Sequence, residues 1–159
     1  MTSLEHTDNP RTGRRAAIFY GVAAFVSLIG LADAIYLTVE HLSGNTLRCT
    51  IITGCSEVLS SPYASVKGMP LAGLGAIAYF IVFSAATLAA FGYKGAGRFA
   101  GFVVGLMFLF TLWLIYLQAF VIKAFCQFCL LSALVTTVMT VLIFLARRQE
   151  KTATHNLAE

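Results

Sequence analysis

Charge is what this sequence has least of. Only 11% of its 159 residues are Asp, Glu, Lys or Arg, while 58% are hydrophobic. A soluble domain is about one quarter charged. A chain this poor in polar groups cannot cover a water-facing surface, which excludes an ordinary soluble globule and points to lipid as the solvent. There is no internal repeat and no low-complexity segment, and the length suits one domain. A net charge of +4 raises nucleic-acid binding. The sequence lacks the basic stripe with interleaved aromatics which that would need. Its basic residues sit in the tails and short loops, as membrane orientation requires.

Four apolar runs stand out, at about 16–39, 69–91, 99–121 and 126–145. The first reaches roughly 35 Å as a helix, enough to cross the hydrocarbon core with some tilt. A cleaved signal peptide competes for it, since Ala32-Asp33-Ala34 loosely fits a small-x-small site. Residues 16–31 already exceed a usual signal core, however, and apolar character resumes after Asp33, so a retained span is expected. Residues 1–15, with Pro10, Arg11, Arg14 and Arg15, read as a disordered tail, and 147–159 as a second polar tail. Residues 40–68 form a long connection broken by Ser, Gly, Asn and Pro, in which 55–61 suit a short helix before Pro62. The expected architecture is therefore all-α: four transmembrane helices in a bundle, spanning 16–146, with an outer loop carrying a short helix.

Four spans put both tails and the Gly92–Arg98 turn on one face. That face carries eight basic residues (Arg11, Arg14, Arg15, Lys94, Arg98, Arg147, Arg148, Lys151). The other face carries three: Arg48, Lys67 and Lys123. The positive-inside rule assigns the first face, and both termini, to the cytoplasm. All four cysteines (Cys49, Cys55, Cys126 and Cys129) then share the extracytoplasmic side.

Their spacing separates them into two pairs. Cys126-Gln127-Phe128-Cys129 opens the last span, and an i, i+3 spacing puts both sulfurs on one helical face. Unpaired N–H groups at a helix start favour a thiolate, the attacking species in disulfide exchange. Lys123 lies one turn earlier. Cys49 and Cys55 enclose five residues of the outer loop. They suit a structural staple in an oxidising compartment, although so short a loop gains little chain entropy from closure. Gly54 would give a pair that changes partners the backbone freedom it needs. A four-cysteine zinc site is the other reading. The five-residue gap is wider than structural zinc sites use, and His41 alone lies near, so no metal is expected. Together the pairs suggest a relay, with the loop pair meeting a water-soluble partner and the helix pair a lipid-soluble one.

These residues resemble the vitamin K epoxide reductase family in its bacterial form. The resemblance rests on Cys49 and the run Gly54-Cys55-Ser56-Glu57-Val58-Leu59-Ser60-Ser61-Pro62-Tyr63. It continues through Gly68-Met69-Pro70 with Gly75 and Tyr79, then Cys126-Gln127-Phe128-Cys129, and Gly30-Leu31-Ala32-Asp33-Ala34-Ile35-Tyr36-Leu37-Thr38 in the first span. It implies a four-helix bundle around a quinone (ubiquinone or menaquinone) in the bacterial plasma membrane. It also implies that Cys49 exchanges with a thioredoxin-like partner, that Cys55 passes electrons to Cys126, and that Cys129 acts beside the quinone. Ser61 matches a hydroxyl position of the family's loop helix. Two positions depart. Animal members carry a Tyr four residues after the last Cys and an Asn near the start of the second span; here these are Ala133 and Leu71. Plain quinone reduction is therefore expected over epoxide reduction. Some bacterial members are fused to a thioredoxin-like domain. This chain ends in a polar tail at Glu159, so a separate partner is expected.

Asp33 falls about 25 Å along the first span, near the outer interface, where an ionisable residue is a functional candidate and a proton relay for quinone reduction. An interfacial carboxylate is its plain alternative. Tyr79, Trp113, Tyr116, Phe125 and Phe128 are candidates to wall the quinone site, of which Phe125 and Phe128 flank the cysteines. Aromatic belts at membrane interfaces are the stronger explanation for Tyr79, Trp113 and Tyr116. Gly101-x-x-x-Gly105 fits close helix packing. A non-enzymatic tetraspan module with one structural disulfide is the remaining reading.

Overall fold

A computed structural model of the chain describes residues 10–43, 55, 58, 60–66, 68–93 and 95–155. Four helices run α1 (Pro10–Leu42), α2 (Leu71–Ala90), α3 (Ala96–Tyr116) and α4 (Gln127–His155). Between α1 and α2 lie a 3₁₀ turn at Pro62–Ala64 and a two-residue antiparallel ladder. In that ladder β1 (Ser65–Val66) pairs with β2 (Met69–Pro70), Ser65 opposite Pro70. A π-helical turn, Leu117–Ile122, ends α3.

Segments Gly13–Leu42, Leu71–Ala90, Ala96–Ile122 and Gln127–Lys151 are long and apolar enough to cross a membrane. Even the shortest, at 20 residues, matches a hydrocarbon core of about 30 Å. Large apolar side chains cover the outside, Phe25, Phe91 and Phe102 among them at 67%, 79% and 70% exposure. A water-facing surface does not carry such an apolar band. The chain is an all-α, multi-pass membrane protein.

Two helices extend beyond the apolar runs. The first starts at Pro10, a residue suited to a first turn, where its missing N–H forfeits no bond. The last continues to His155, and its polar part packs on the other helices at Arg147 and Glu150. There Tyr20, fully buried, donates its hydroxyl to Glu150 Oε2 at 3.2 Å, Arg147 lies against Gly101, and Arg148 stacks 4.5 Å over the Phe144 ring. Gly105, the second glycine of that motif, faces open space, so close approach occurs at Gly101 only. The α2–α3 turn closes as a Schellman motif. Gly92 sits at φ 86°, its N–H on Ala89 O at 3.0 Å, and the Tyr93 N–H reaches Leu88 O at 3.1 Å.

The core is built from small side chains, Ala16, Ala23, Ala34, Ala85, Ala89, Ala100 and Ala146, with Val82, Val104, Met139 and Ile143 between them. Small residues let membrane helices approach closely, which is where packing energy comes from when lipid is as apolar as the core. One very tight approach is that of Gly30 of α1 on the ring of Tyr79 in α2. A Cβ there would meet Tyr79 Cε1, with Cζ at 2.5 Å and Cδ1 at 2.8 Å. Replacing a mid-helix glycine by alanine normally stabilises by about 1 kcal/mol. Gly30→Ala is expected to do the reverse, costing about 1–3 kcal/mol by overpacking. The check is thermal unfolding in detergent, in a cycle with Tyr79→Leu. The double variant should lose less than the two singles together.

Candidate active site

The cysteine end of the bundle lies opposite the Gly92 turn. Its chemistry starts from how α3 ends. The π turn re-aims side chains relative to an α-helix, as such turns often do at functional sites. It directs Gln118 inward to 3% exposure. Lys123, at φ 56° and exposed, then turns the chain into the short connection that leads to Cys126. Gln118 Oε1 accepts the Cys126 backbone N–H at 3.3 Å, so the end of α3 is tied to the mouth of α4.

Cys126 occupies the N-cap of α4. Its carbonyl accepts the Leu130 N–H at 3.0 Å, the first bond of that helix. Its sulfur takes the place a Ser or Asp oxygen has in a cap, receiving the backbone N–H groups of Phe128 and Cys129. The side chain of Cys129 also hydrogen-bonds that sulfur. This last bond is the largest influence on Cys126 and, with the two backbone bonds, outweighs burial, so the thiol is held below its ordinary range. In reduced protein, iodoacetamide modification of Cys126, followed by peptide mass mapping, should titrate with a midpoint below that of an ordinary thiol. A midpoint at the ordinary thiol value would mean the cap does not act on the sulfur.

Cys126, fully buried, shares one cluster with Cys55, Leu37 and Val58, against which Phe128, Ile122 and Cys129 pack. Cys55 is disulfide-bonded, whereas Cys126 and Cys129 are free thiols. Cys49 lies outside the described residues. Cys55 and Val58 have helical backbone within the expected loop helix. Ser61 donates its hydroxyl to Val58 O at 2.7 Å, and its own carbonyl accepts the Ala64 N–H at 3.0 Å. That hydroxyl therefore stabilises the local turn, while the residue also lines the adjoining cavity.

This cavity, of about 650 Å³, is walled mainly by apolar residues such as Leu37, Leu71, Leu74, Leu114 and Ala133. Its polar groups include Asp33, His41, Ser61, Tyr79, Gln118, Ser132 and Thr136, with the Cys129 thiol beside them. Ligand sites for small organic molecules have this size and this mixture. The Tyr79 hydroxyl lies 2.7 Å from Ser132 Oγ and 3.0 Å from Thr136 Oγ1, and 3.1 Å from the Ser132 carbonyl. Ser132 and Thr136, four apart on α4, present one face to it. Asp33 is 9% exposed, and its Oδ2 is buried without a hydrogen-bond partner.

Of the residues singled out from sequence, Asp33, Ser61, Tyr79 and Cys129 line the cavity, as does Trp113. Phe128 packs on Tyr36 (centroids 5.4 Å apart) and on the cysteine cluster rather than on the cavity. Phe125 is 42% exposed and is not among the residues that line this cavity. Tyr116 stacks on Trp113 and leans on Phe120 along the outer face of α3, as a belt residue would. Sequence reading passed over Gln118, Ser132 and Thr136. The signal for Gln118 was an amide inside an apolar span. For the other two it was the i, i+4 hydroxyl spacing.

A membrane bundle holding a paired-thiol motif between a buried disulfide cysteine and an apolar cavity defines a membrane thiol oxidoreductase. The family description "Vitamin K epoxide reductase family" matches residues 22–144, and the chain belongs to that family. No curated protein matches the chain.

Proposed function

We propose that this protein is a quinone-dependent thiol oxidase. It takes electrons from a separate, extracytoplasmic thioredoxin-like protein and passes them through two cysteine pairs to a membrane quinone, supporting disulfide formation. The observation that carries this reading is the division at the mouth of α4: Cys126 is buried with Cys55, and Cys129 faces the cavity. The partner's dithiol reduces the Cys49–Cys55 disulfide and leaves oxidised. Cys55 then attacks Cys126 of an inner disulfide, Cys129 departs with the bonding electron pair, and Cys49 resolves the mixed disulfide. Two thiols are left at Cys126 and Cys129. These give two electrons to the quinone, two protons follow, and the inner disulfide re-forms.

The cavity's size and apolar walls suit a quinone ring, which Tyr79, Ser132, Thr136 and Gln118 are positioned to meet with hydrogen bonds. Asp33 is the proton relay. Leu71 and Ala133 offer the ring no hydrogen bond, which favours a plain quinone over a vitamin K-type epoxide. The excess of basic residues at the opposite end supports cytoplasmic termini in a bacterial plasma membrane.

The test is purified protein mixed with a reduced thioredoxin-like protein and a water-soluble ubiquinone analogue. One quinol should form per partner disulfide. Oxidation of the partner with the quinone left intact would refute the scheme. A Cys55 disulfide that persists under all redox conditions would favour the tetraspan module.

A further inference from the structure

Resting on the quinone-dependent reading, we infer that Gly30 is a positioning residue for quinone binding. Its missing side chain seats the Tyr79 ring across the bundle and so fixes the Tyr79 hydroxyl as the polar stop at the inner end of the quinone ring. Three helices meet in this one side chain. Tyr79 stands on α2 and is buried. Its ring lies on the backbone of α1, where a Cβ at Gly30 would run into Cε1, Cζ and Cδ1. Its hydroxyl reaches α4, 2.7 Å from Ser132 Oγ, 3.0 Å from Thr136 Oγ1 and 3.1 Å from the Ser132 carbonyl. Tyr79, Ser132 and Thr136 line the cavity, whereas Gly30 does not. Gly30 therefore acts on the cavity through the ring it seats.

The seat sets the depth at which a quinone can sit. Ser132 follows Cys129 by three residues, about 4.5 Å further along α4 by the helical rise. Gly30 precedes Asp33 by the same three residues on α1. The Tyr79 hydroxyl thus lies about one turn deeper in the bundle than the Cys129 thiol and the Asp33 carboxyl. A quinone carries its two oxygens at opposite ends of the ring. With one of them on the Tyr79 hydroxyl, the other end is left at the level of Cys129 and Asp33. A phenol hydroxyl both donates and accepts, so the same group meets the carbonyl of the quinone and the O–H of the quinol. A methyl group at Gly30 would press on Cζ, the carbon that bears the oxygen. Overpacking of this kind pushes a side chain off its position, and a rigid ring moves its hydroxyl with it.

The test needs neither thiol partner nor turnover. Trp113 is the single tryptophan of the chain and lines the cavity, and quinones quench indole fluorescence. Purified protein in detergent, without reductant, is titrated with a water-soluble ubiquinone analogue. Tyr79→Phe should weaken binding about fivefold, the loss of one hydrogen bond. Gly30→Ala should weaken it to a similar degree. Added to Tyr79→Phe, Gly30→Ala should weaken binding no further, yet should still lower the unfolding temperature, because the phenyl ring meets the same methyl group. A purely structural role for Gly30 forecasts the same loss of affinity in both backgrounds, and that result would overturn the inference. Unchanged affinity in Gly30→Ala with Tyr79 present would overturn it too. Should Gly30→Ala not fold, it is made with Tyr79→Leu, which removes the clashing ring. That pair should bind as Tyr79→Leu alone does, and a further loss of affinity would show that Gly30 does not act through Tyr79. A wild-type protein whose Trp113 is not quenched refutes the quinone reading itself, whereas quenching that ignores Gly30→Ala refutes only the seat.

Discussion

Replacing Cys126 with alanine should abolish quinone reduction, by at least about 10³-fold, whichever reductant supplies the electrons. The expectation follows from position. Cys126 is the inner-pair sulfur that is fully buried in one cluster with Cys55, and in the proposed relay it is the one that Cys55 attacks. Cys129→Ala should be equally inactive, since it leaves the cavity without its thiol. The double variant should be no worse than either single, because a disulfide needs both partners and the effects cannot add. Cys49→Ala should behave differently. It blocks exchange with the protein partner, while a small dithiol that reduces the inner pair directly should still drive quinone reduction to within about threefold of wild type. The measurement is quinol formation followed optically, with either the thioredoxin-like protein or dithiothreitol as donor. Full turnover by Cys126→Ala with the protein donor would remove the relay.

Why the architecture could be read in advance, and the site only in part, is a matter of which forces act over which distance. Span number and order follow from runs of apolar residues, because lipid tolerates little else, and the four helices fall where those runs lie. The two cysteine pairs were legible by spacing alone. Features that depend on three-dimensional approach were not. The π turn at Leu117–Ile122 has no periodicity signal, yet Gln118 within it reaches the Cys126 N–H. Gly30 looked like one more small residue until it met the Tyr79 ring from another helix. Phe125 and Phe128 were attractive because they flank Cys126 and Cys129 in sequence. Neighbours on a helix start point in different directions, and the cavity is walled instead by residues distant in sequence, from Asp33 to Thr136. The small β1–β2 ladder was hidden because two residues per strand leave no alternation to read.

Asp33→Asn should lower the rate of quinone reduction by about 100-fold, the usual contribution of a positioned acid or base. In the proposed reaction the inner dithiol supplies electrons directly, but the quinol oxygens must receive protons in an apolar cavity. Asp33 is the carboxyl that lines it, and Oδ2 has no partner among the described residues to hold it. Asparagine keeps the shape and cannot pass a proton. The interfacial-carboxylate reading makes the opposite forecast, near-normal turnover. A second measurement separates them further. A buried polar atom without a partner costs stability, about 1–3 kcal/mol, so an apolar side chain at this site should raise it. Asp33→Leu should therefore unfold at a higher temperature than wild type while reducing quinone poorly. A residue that the fold would do better without, and the reaction cannot spare, is the mark of a functional group. If Asp33→Leu is both less stable and fully active, the carboxyl is structural and the protons reach the quinone by another path.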